Sequence, residues 1–171
     1  MITSSQERIE LYTQAGWWCD TTDHELLWKN AAAHPDRLAV ADQPNRNTLT
    51  DGNPWRLSYA ELNAAAVNLA CELLDRGIGE GDALIVQLPN ITELVVVYFA
   101  ASMTGAIVSP VPVQYGSHEL GLASSTLSPK AMISIGRMKE TPLAQIARDT
   151  MPDDVAVLAF GEYDAPGVKR L

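Results

Sequence analysis

Leu57-Ser58-Tyr59-Ala60-Glu61-Leu62, Gly77-Ile78-Gly79-Glu80-Gly81-Asp82 and Leu88-Pro89-Asn90 are three phrases of one run, and their order decides the fold. The Ser58 hydroxyl can accept from the Glu61 N–H while Glu61 reaches back to the Ser58 N–H, a capping box that opens a helix. Leu62, Ala66, Leu69, Ala70 and Leu73 recur at helical spacing and define its buried stripe. Gly77 stands just past the helix end, where the chain needs a positive φ. Ala83 to Leu88 then reads as a strand, Thr92 to Met103 as a helix stopped at Gly105, and Ala106 to Ser109 as a second strand before Pro110. That sequence of elements is a βαβ unit with its punctuation in place.

Downstream, the alternation continues. A helix starts after Ser117 and runs to about Leu127, and Ala131 to Ile135 is a strand. Thr141 is the expected cap of a further helix with Pro142 at its first position, where a missing N–H costs nothing. Asp153-Asp154 turns the chain into a strand from Val155 to Phe160. Strands alternating with helices predict an α/β fold, a mostly parallel sheet with helices on both faces. The tail Gly161 to Leu171 mixes Gly, Pro and isolated charges and reads as an exit linker, so residues 1–160 are expected to form the domain.

Upstream, Ser5 to Ala15 can form a short amphipathic helix with Ile9 and Tyr12 on one side, ended by Gly16. Trp17 and Trp18 are large groups that must pack on something. Thr22 or Asp23 can cap a helix through Ala33, with Leu26, Leu27 and Ala31 as its apolar positions. Leu38 to Asp42 and Trp55 to Leu57 read as a small antiparallel hairpin near the N-terminus. Gln43 to Pro54 between them is rich in Asn, Pro, Asp and Gly and reads as a loop.

The chain has 171 residues, 47% hydrophobic and 19% charged, with a formal charge of −9. That size supports one domain with a core of its own. The acidic balance argues against nucleic acid, which needs clustered Lys and Arg, and against anionic membranes. Two cysteines do not make a disulfide scaffold, and Cys71, mid-helix, is expected to be a small packing residue. Met1 to Glu10 has no apolar core of a secretory signal. No Asp, Glu, Lys or Arg occurs between Glu93 and Glu119. Gly105, Pro110 and Pro112 interrupt that run, so it reads as a buried helix and strand, not a membrane span.

Motif by motif, chemistry finds little support. Gly77, Gly79 and Gly81 follow a helix and precede a strand, whereas a phosphate loop follows a strand and opens a helix. Ser124-Ser125-Thr126-Leu127-Ser128-Pro129-Lys130 has the hydroxyls and the Pro-Lys of a nucleotide loop but no glycine, and reads as a helix end stopped by Pro129. His24, His34 and His118 lie far apart, with no Cys or His at ligand spacing, so no metal site is expected. There is no Gly-x-Ser-x-Gly elbow for a hydrolase nucleophile. Asp153-Asp154 and the Glu7/Glu10 pair read as solvated charges. Leu94 to Ala101 is apolar all round, the mark of a buried helix.

The run quoted at the outset resembles the N-terminal portion of the AMP-forming adenylating superfamily, which includes acyl- and aryl-CoA synthetases, peptide-synthetase adenylation domains and luciferases. Leu57-Ser58-Tyr59 with Glu61-Leu62 resembles its early Leu-Thr/Ser-Tyr-x-Glu-Leu motif. Gly77-Ile78, Gly81-Asp82, Val86, Leu88-Pro89-Asn90 and Glu93 are similar to the run that follows. Gly105-Ala106 with Pro110 and Tyr115, then Leu127 and Lys130-Ala131-Met132-Ile133, continue the likeness, which extends from about Leu26 to Phe160. Val111-Pro112-Val113 departs from the common Leu-Asn-Pro and leaves the subfamily open, although Trp17-Trp18 is more like stand-alone CoA ligases.

The resemblance implies a fragment of an ATP-dependent carboxylic acid–CoA ligase: acid and ATP give acyl-AMP, and a thiol then displaces AMP. The whole parent would use ATP, Mg2+ and CoA, act on a small carboxylic acid in the cytoplasm, and include downstream domains as this piece's partner. The phosphate loop ending Pro-Lys-Gly, the metal- and ribose-binding acids and the late lysine lie downstream of the matched region. No catalytic, cofactor-binding or metal residue is therefore assigned, the substrate contacts are unassigned, and the fragment is expected to be inert alone. An exposed apolar face would allow self-association. Two other readings stay open at this point: a flavodoxin-like small-ligand domain, and a non-enzymatic interaction module. In any of these, ligands would approach the strand ends near Pro89-Asn90, Val111, Gly136 and Gly161.

Overall fold

The structure, a computed structural model, describes residues 4–163 and 165–171, so the first three residues of the Met1–Glu10 stretch and Asp164 of the tail lie outside the described residues. Its elements are α1 (Gln6–Gln14), α2 (Asp23–Ala33), β1 (Leu38–Ala41), β2 (Arg56–Ser58), α3 (Tyr59–Asp75), β3 (Ala83–Val86), α4 (Thr92–Thr104), β4 (Ile107–Pro110), α5 (Ser117–Leu127), β5 (Ala131–Ile135), α6 (Leu143–Thr150), β6 (Ala156–Phe160) and β7 (Val168–Arg170). A 3-10 turn, Arg46–Thr48, lies between β1 and β2.

The decisive run folds as its residues dictate. The Glu61 N–H donates to Ser58 Oγ at 3.3 Å, and the Ser58 N–H donates to the Glu61 carboxylate at 2.8 Å. That backbone donor holds the Glu61 carboxyl below the usual carboxylate range. Leu62, Ala66, Leu69, Ala70 and Leu73 are the buried residues of α3. The helix ends with Gly77 at φ 73°, and Ile78 donates back to the Leu73 carbonyl, placing its own side chain in the core. This closes the helix with a left-handed residue that only glycine adopts without strain.

Five strands form one parallel sheet in the order β4-β3-β5-β6-β7, and β1 and β2 form a separate antiparallel pair. The period of two along each strand separates two cores. Leu84 and Val86, Ala131, Ile133 and Ile135, and Leu158 share one core with α3 and α4, on which α2 packs through Leu27. Ile85, Met132 and Val157 face α5 and α6 through Leu120, Ala147 and Met151. The fold class is therefore α/β, with a parallel sheet covered on both faces and a small antiparallel pair beside it.

Four expectations need correction. Residues 168–170, read as part of an exit linker, form β7, with Val168, Lys169 and Arg170 beside Val157, Leu158 and Ala159. A three-residue edge strand carrying two charges has no alternation to detect, and charge on an edge discourages pairing with another sheet. Cys71 is exposed, because it lies one step off the buried stripe of α3. Thr141 does not cap α6; it bridges Met138, and Pro142 occupies the cap position. Of the apolar positions expected in α2, only Leu27 is buried, while Leu26 is half exposed. Trp17 and Trp18 pack on Tyr12, at ring separations of 5.5 and 5.0 Å, and Trp17 remains 75% exposed.

Candidate functional site

In the strand order, β3 is followed in sequence by β4 on one side and neighbours β5 on the other. The direction of winding reverses there, and a crevice opens outside the carboxyl ends of the strands at such a point. A cleft of about 580 Å³ lies at that edge, lined by Leu49, Leu88, Pro89, Val111, Pro112 and Met138 among others. Of the expected strand-end positions, Pro89, Asn90 and Val111 line this cleft. Gly161 instead lines a second hollow of about 370 Å³, with Arg46, Asp51, Trp55 and Arg170. Gly136 lines neither, and the backbone of Glu162 crosses directly against it.

Two buried polar groups fix the walls of the cleft. Gln87, fully buried at the end of β3, donates through Nε2 to the carbonyls of Pro112 (3.2 Å) and Tyr115 (2.9 Å). These bonds tie the β4–α5 loop to the centre of the sheet. On the other side, Arg46 is 3% exposed and lies between two carboxylates. Its guanidinium donates to Asp42 Oδ2 at 2.6 Å and to Glu93 Oε2 at 2.9 Å, with a second, closer bond to Glu93 Oε1. Asp42 also accepts from the Trp55 N–H (2.8 Å), the Thr92 N–H (2.7 Å) and the Thr92 hydroxyl (2.9 Å). Burial opposes the charge on Asp42, but the bonds from Arg46, Trp55 and Thr92 outweigh it and hold the carboxyl below its usual range. Burial likewise opposes the charge on Arg46, and the two carboxylates outweigh it and raise its pKa.

A second fastening joins the same loop to the β5–α6 connection. Arg137 donates to Asp51 Oδ1 through Nε at 2.8 Å, the Thr50 hydroxyl donates to the Arg137 carbonyl at 2.8 Å, and the Lys139 N–H donates to the Leu49 carbonyl at 2.7 Å. The composition of residues 43–54 indicates a loop and carries no hint of these anchors. A signal that could have found them is Glu93, the one charge at the start of an otherwise uncharged helix, since a carboxylate buried there needs a partner.

The other sequence candidates lie elsewhere. Ser124 to Lys130 sits at the amino end of the sheet, before β5, and Ser124, Ser128 and Pro129 face Pro152 and Asp154. Ser128 takes the left-handed turn at φ 46° that ends α5. His24 hydrogen-bonds Ser102 Oγ at 2.9 Å and so joins α2 to α4. Among the described residues, no group of three or more His, Cys, Asp or Glu is placed to hold a metal ion. No helix among them is long and apolar enough to cross a membrane.

Winding, switch point and cleft define an open parallel α/β domain of the class that receives ligands across its carboxyl edge. A family model described as AMP-binding enzyme matches residues 27–169, and the chain belongs to that family. It is 30% identical to pseudomonine synthase PmsE of Pseudomonas entomophila over 167 residues, covering 97% of this chain and 24% of that protein. It is 40% identical over 101 residues to the salicyl-AMP ligase / salicyl-S-ArCP synthetase of Mycobacterium tuberculosis, covering 59% of this chain and 17% of that protein. The apo structure of Mycobacterium smegmatis MbtA superposes with a TM-score of 0.73 at 28% identity, over 93% of this chain and 28% of that one. The chain thus spans about a quarter or less of the length of these relatives and corresponds to their N-terminal portion.

Proposed function

We propose that this chain is the N-terminal scaffold of an ATP-dependent acid–thiol ligase, which joins a carboxylic acid to AMP and then to the thiol of CoA or of a carrier protein. The observation that carries this is the family match over residues 27–169 together with the partial span of the relatives. ATP, Mg2+ and the thiol belong to the whole parent, a cytoplasmic enzyme on this reading, with the downstream domains as partner. Among the relatives is a salicyl-AMP ligase, which makes an aryl acid the first substrate to test. Another is a medium-chain fatty-acid–CoA ligase, which makes CoA the first thiol.

On its own the piece is inert, and its structural unit runs past residue 160 to include β7. The cleft is lined mainly by apolar groups such as Leu49, Leu88, Pro89, Val111 and Pro112, with Gln43 and Asn90 among its few polar side chains and no cation among the described residues, a lining that fits a triphosphate poorly. Phosphate oxygens need N–H donors, cations and metal, and proline has no N–H to offer. The test is ATP–pyrophosphate exchange with salicylate and Mg2+, beside isothermal titration of the chain with Mg-ATP. The expected result is no exchange and no micromolar binding; either activity from this chain unaided refutes inertness. Reading the message past the Leu171 codon tests the parent assignment. A Gly-rich loop ending Pro-Lys-Gly is expected there, and its absence would overturn the assignment.

A further inference from the structure

We infer that residues 42–55 form a strap locked across the carboxyl edge of the sheet by Arg46, and that releasing this lock opens the cleft without unfolding the domain. The inference concerns the conformation of this chain and does not depend on which reaction the parent performs.

The strap lies between two hollows. Gln43 and Leu49 line the cleft at the ends of β3 and β4, and Asp51, Gly52 and Trp55 line the hollow beside Gly161. Little apolar surface holds it. Leu49 is only half-buried, Trp55 is 45% exposed, and the buried residues between them and β1 are Arg46 and Thr50. Its fastenings are polar and sit at two places. One is the start of α4, where Arg46 bridges Asp42 and Glu93 and where Thr92 donates to Asp42. The other is the β5–α6 connection, through Thr50, Asp51 and the Leu49 carbonyl.

A buried ion triad contributes little net stability beside apolar groups of the same shape, but breaking it leaves charge uncompensated in the interior. Its effect is therefore to select one position of the strap. Loss of Arg46 leaves Asp42 and Glu93 facing each other through low-dielectric space, and the cheapest relief is for the strap to lift and admit water. The sheet need not follow, because the strands below carry their own ladders and two apolar cores.

Hydrogen exchange on the whole 171-residue chain, read by mass spectrometry, tests this with Arg46→Met and Arg46→Lys beside the wild type. Arg46→Met is expected to speed exchange at residues 43–51 and at the Lys139 amide by about tenfold or more, with β3 and β5 amides unchanged. Arg46→Lys keeps the charge but not the planar fork, and is expected to give a smaller rise confined to the same residues. Exchange in the strap equal to wild type in both variants overturns the inference. So does loss of protection spread evenly through β3 and β5, which would make the triad part of the core and not a lock. Where Arg46→Met does not fold, Arg46→Lys decides by the same two criteria.

Discussion

Gly136 and Gly121 form a matched pair in which the same substitution has opposite consequences. A Cβ added at Gly136 would lie 2.6 Å from the Glu162 carbonyl oxygen and 3.2 Å from Cβ and Cδ1 of Tyr163. Carbon–oxygen contacts settle at roughly 3.3–3.6 Å, so the 162–163 backbone must retreat by roughly 0.7 Å or more. That backbone is held from both ends: the Gly136 N–H donates to the Phe160 carbonyl at 2.8 Å, and β7 pairs with β6 beyond it. Overpacking of this kind costs about 1–3 kcal/mol. Gly121 lies inside α5, and its added Cβ would meet only Thr150 Cγ2 at 3.9 Å, an ordinary contact. Gly121→Ala removes backbone entropy from the unfolded chain and is expected to stabilise by about 0.5–1 kcal/mol. For a chain of this length 1 kcal/mol moves Tm by about 2–4 °C. Urea unfolding followed by tryptophan fluorescence and thermal melts followed by circular dichroism should therefore move in opposite directions for the two variants. Gly136→Ala at or above wild-type stability would refute the close crossing of the 162–163 backbone over the end of β5.

Two further outcomes follow from the same structure. Because bonds from Arg46, Trp55 and Thr92 hold the folded pKa of Asp42 below its unfolded value of about 3.9, its contribution is present above that value and is lost as pH falls through the lower folded one. Acid titration of stability should accordingly be flatter for Asp42→Asn than for wild type below about pH 5, and equal slopes would contradict this. Leu73 is fully buried between α3 and the sheet, so Leu73→Ala should cost about 2–5 kcal/mol in urea unfolding, with a loss below 1 kcal/mol excluding its place in the core.

How much of this was legible in the sequence differs by element. The capping box at Ser58, the stripe from Leu62 to Leu73 and the stop at Gly77 are local signals, each satisfied by residues within a few positions, and the structure reproduces them. The parallel sheet follows from their repetition. β7 escaped because three residues, two of them charged, carry no periodic pattern. The strap escaped for a different reason. Its anchors join residues 47 and 86 positions apart, and composition reports only that such a segment is polar. Gln87 is similar: a glutamine after an apolar strand says nothing of two carbonyls in the loop beyond β4.

The distance along the chain between those anchors has a kinetic consequence. Glu93 cannot meet Arg46 until β3 and the start of α4 are in place, and Asp51 cannot meet Arg137 until β5 has joined the sheet. Closure of this segment is therefore expected late in folding, after β3, the start of α4 and β5 have assembled. Substitutions that weaken it should leave the refolding rate nearly untouched and shorten the native lifetime instead, which makes Arg46 a handle on persistence, not on assembly.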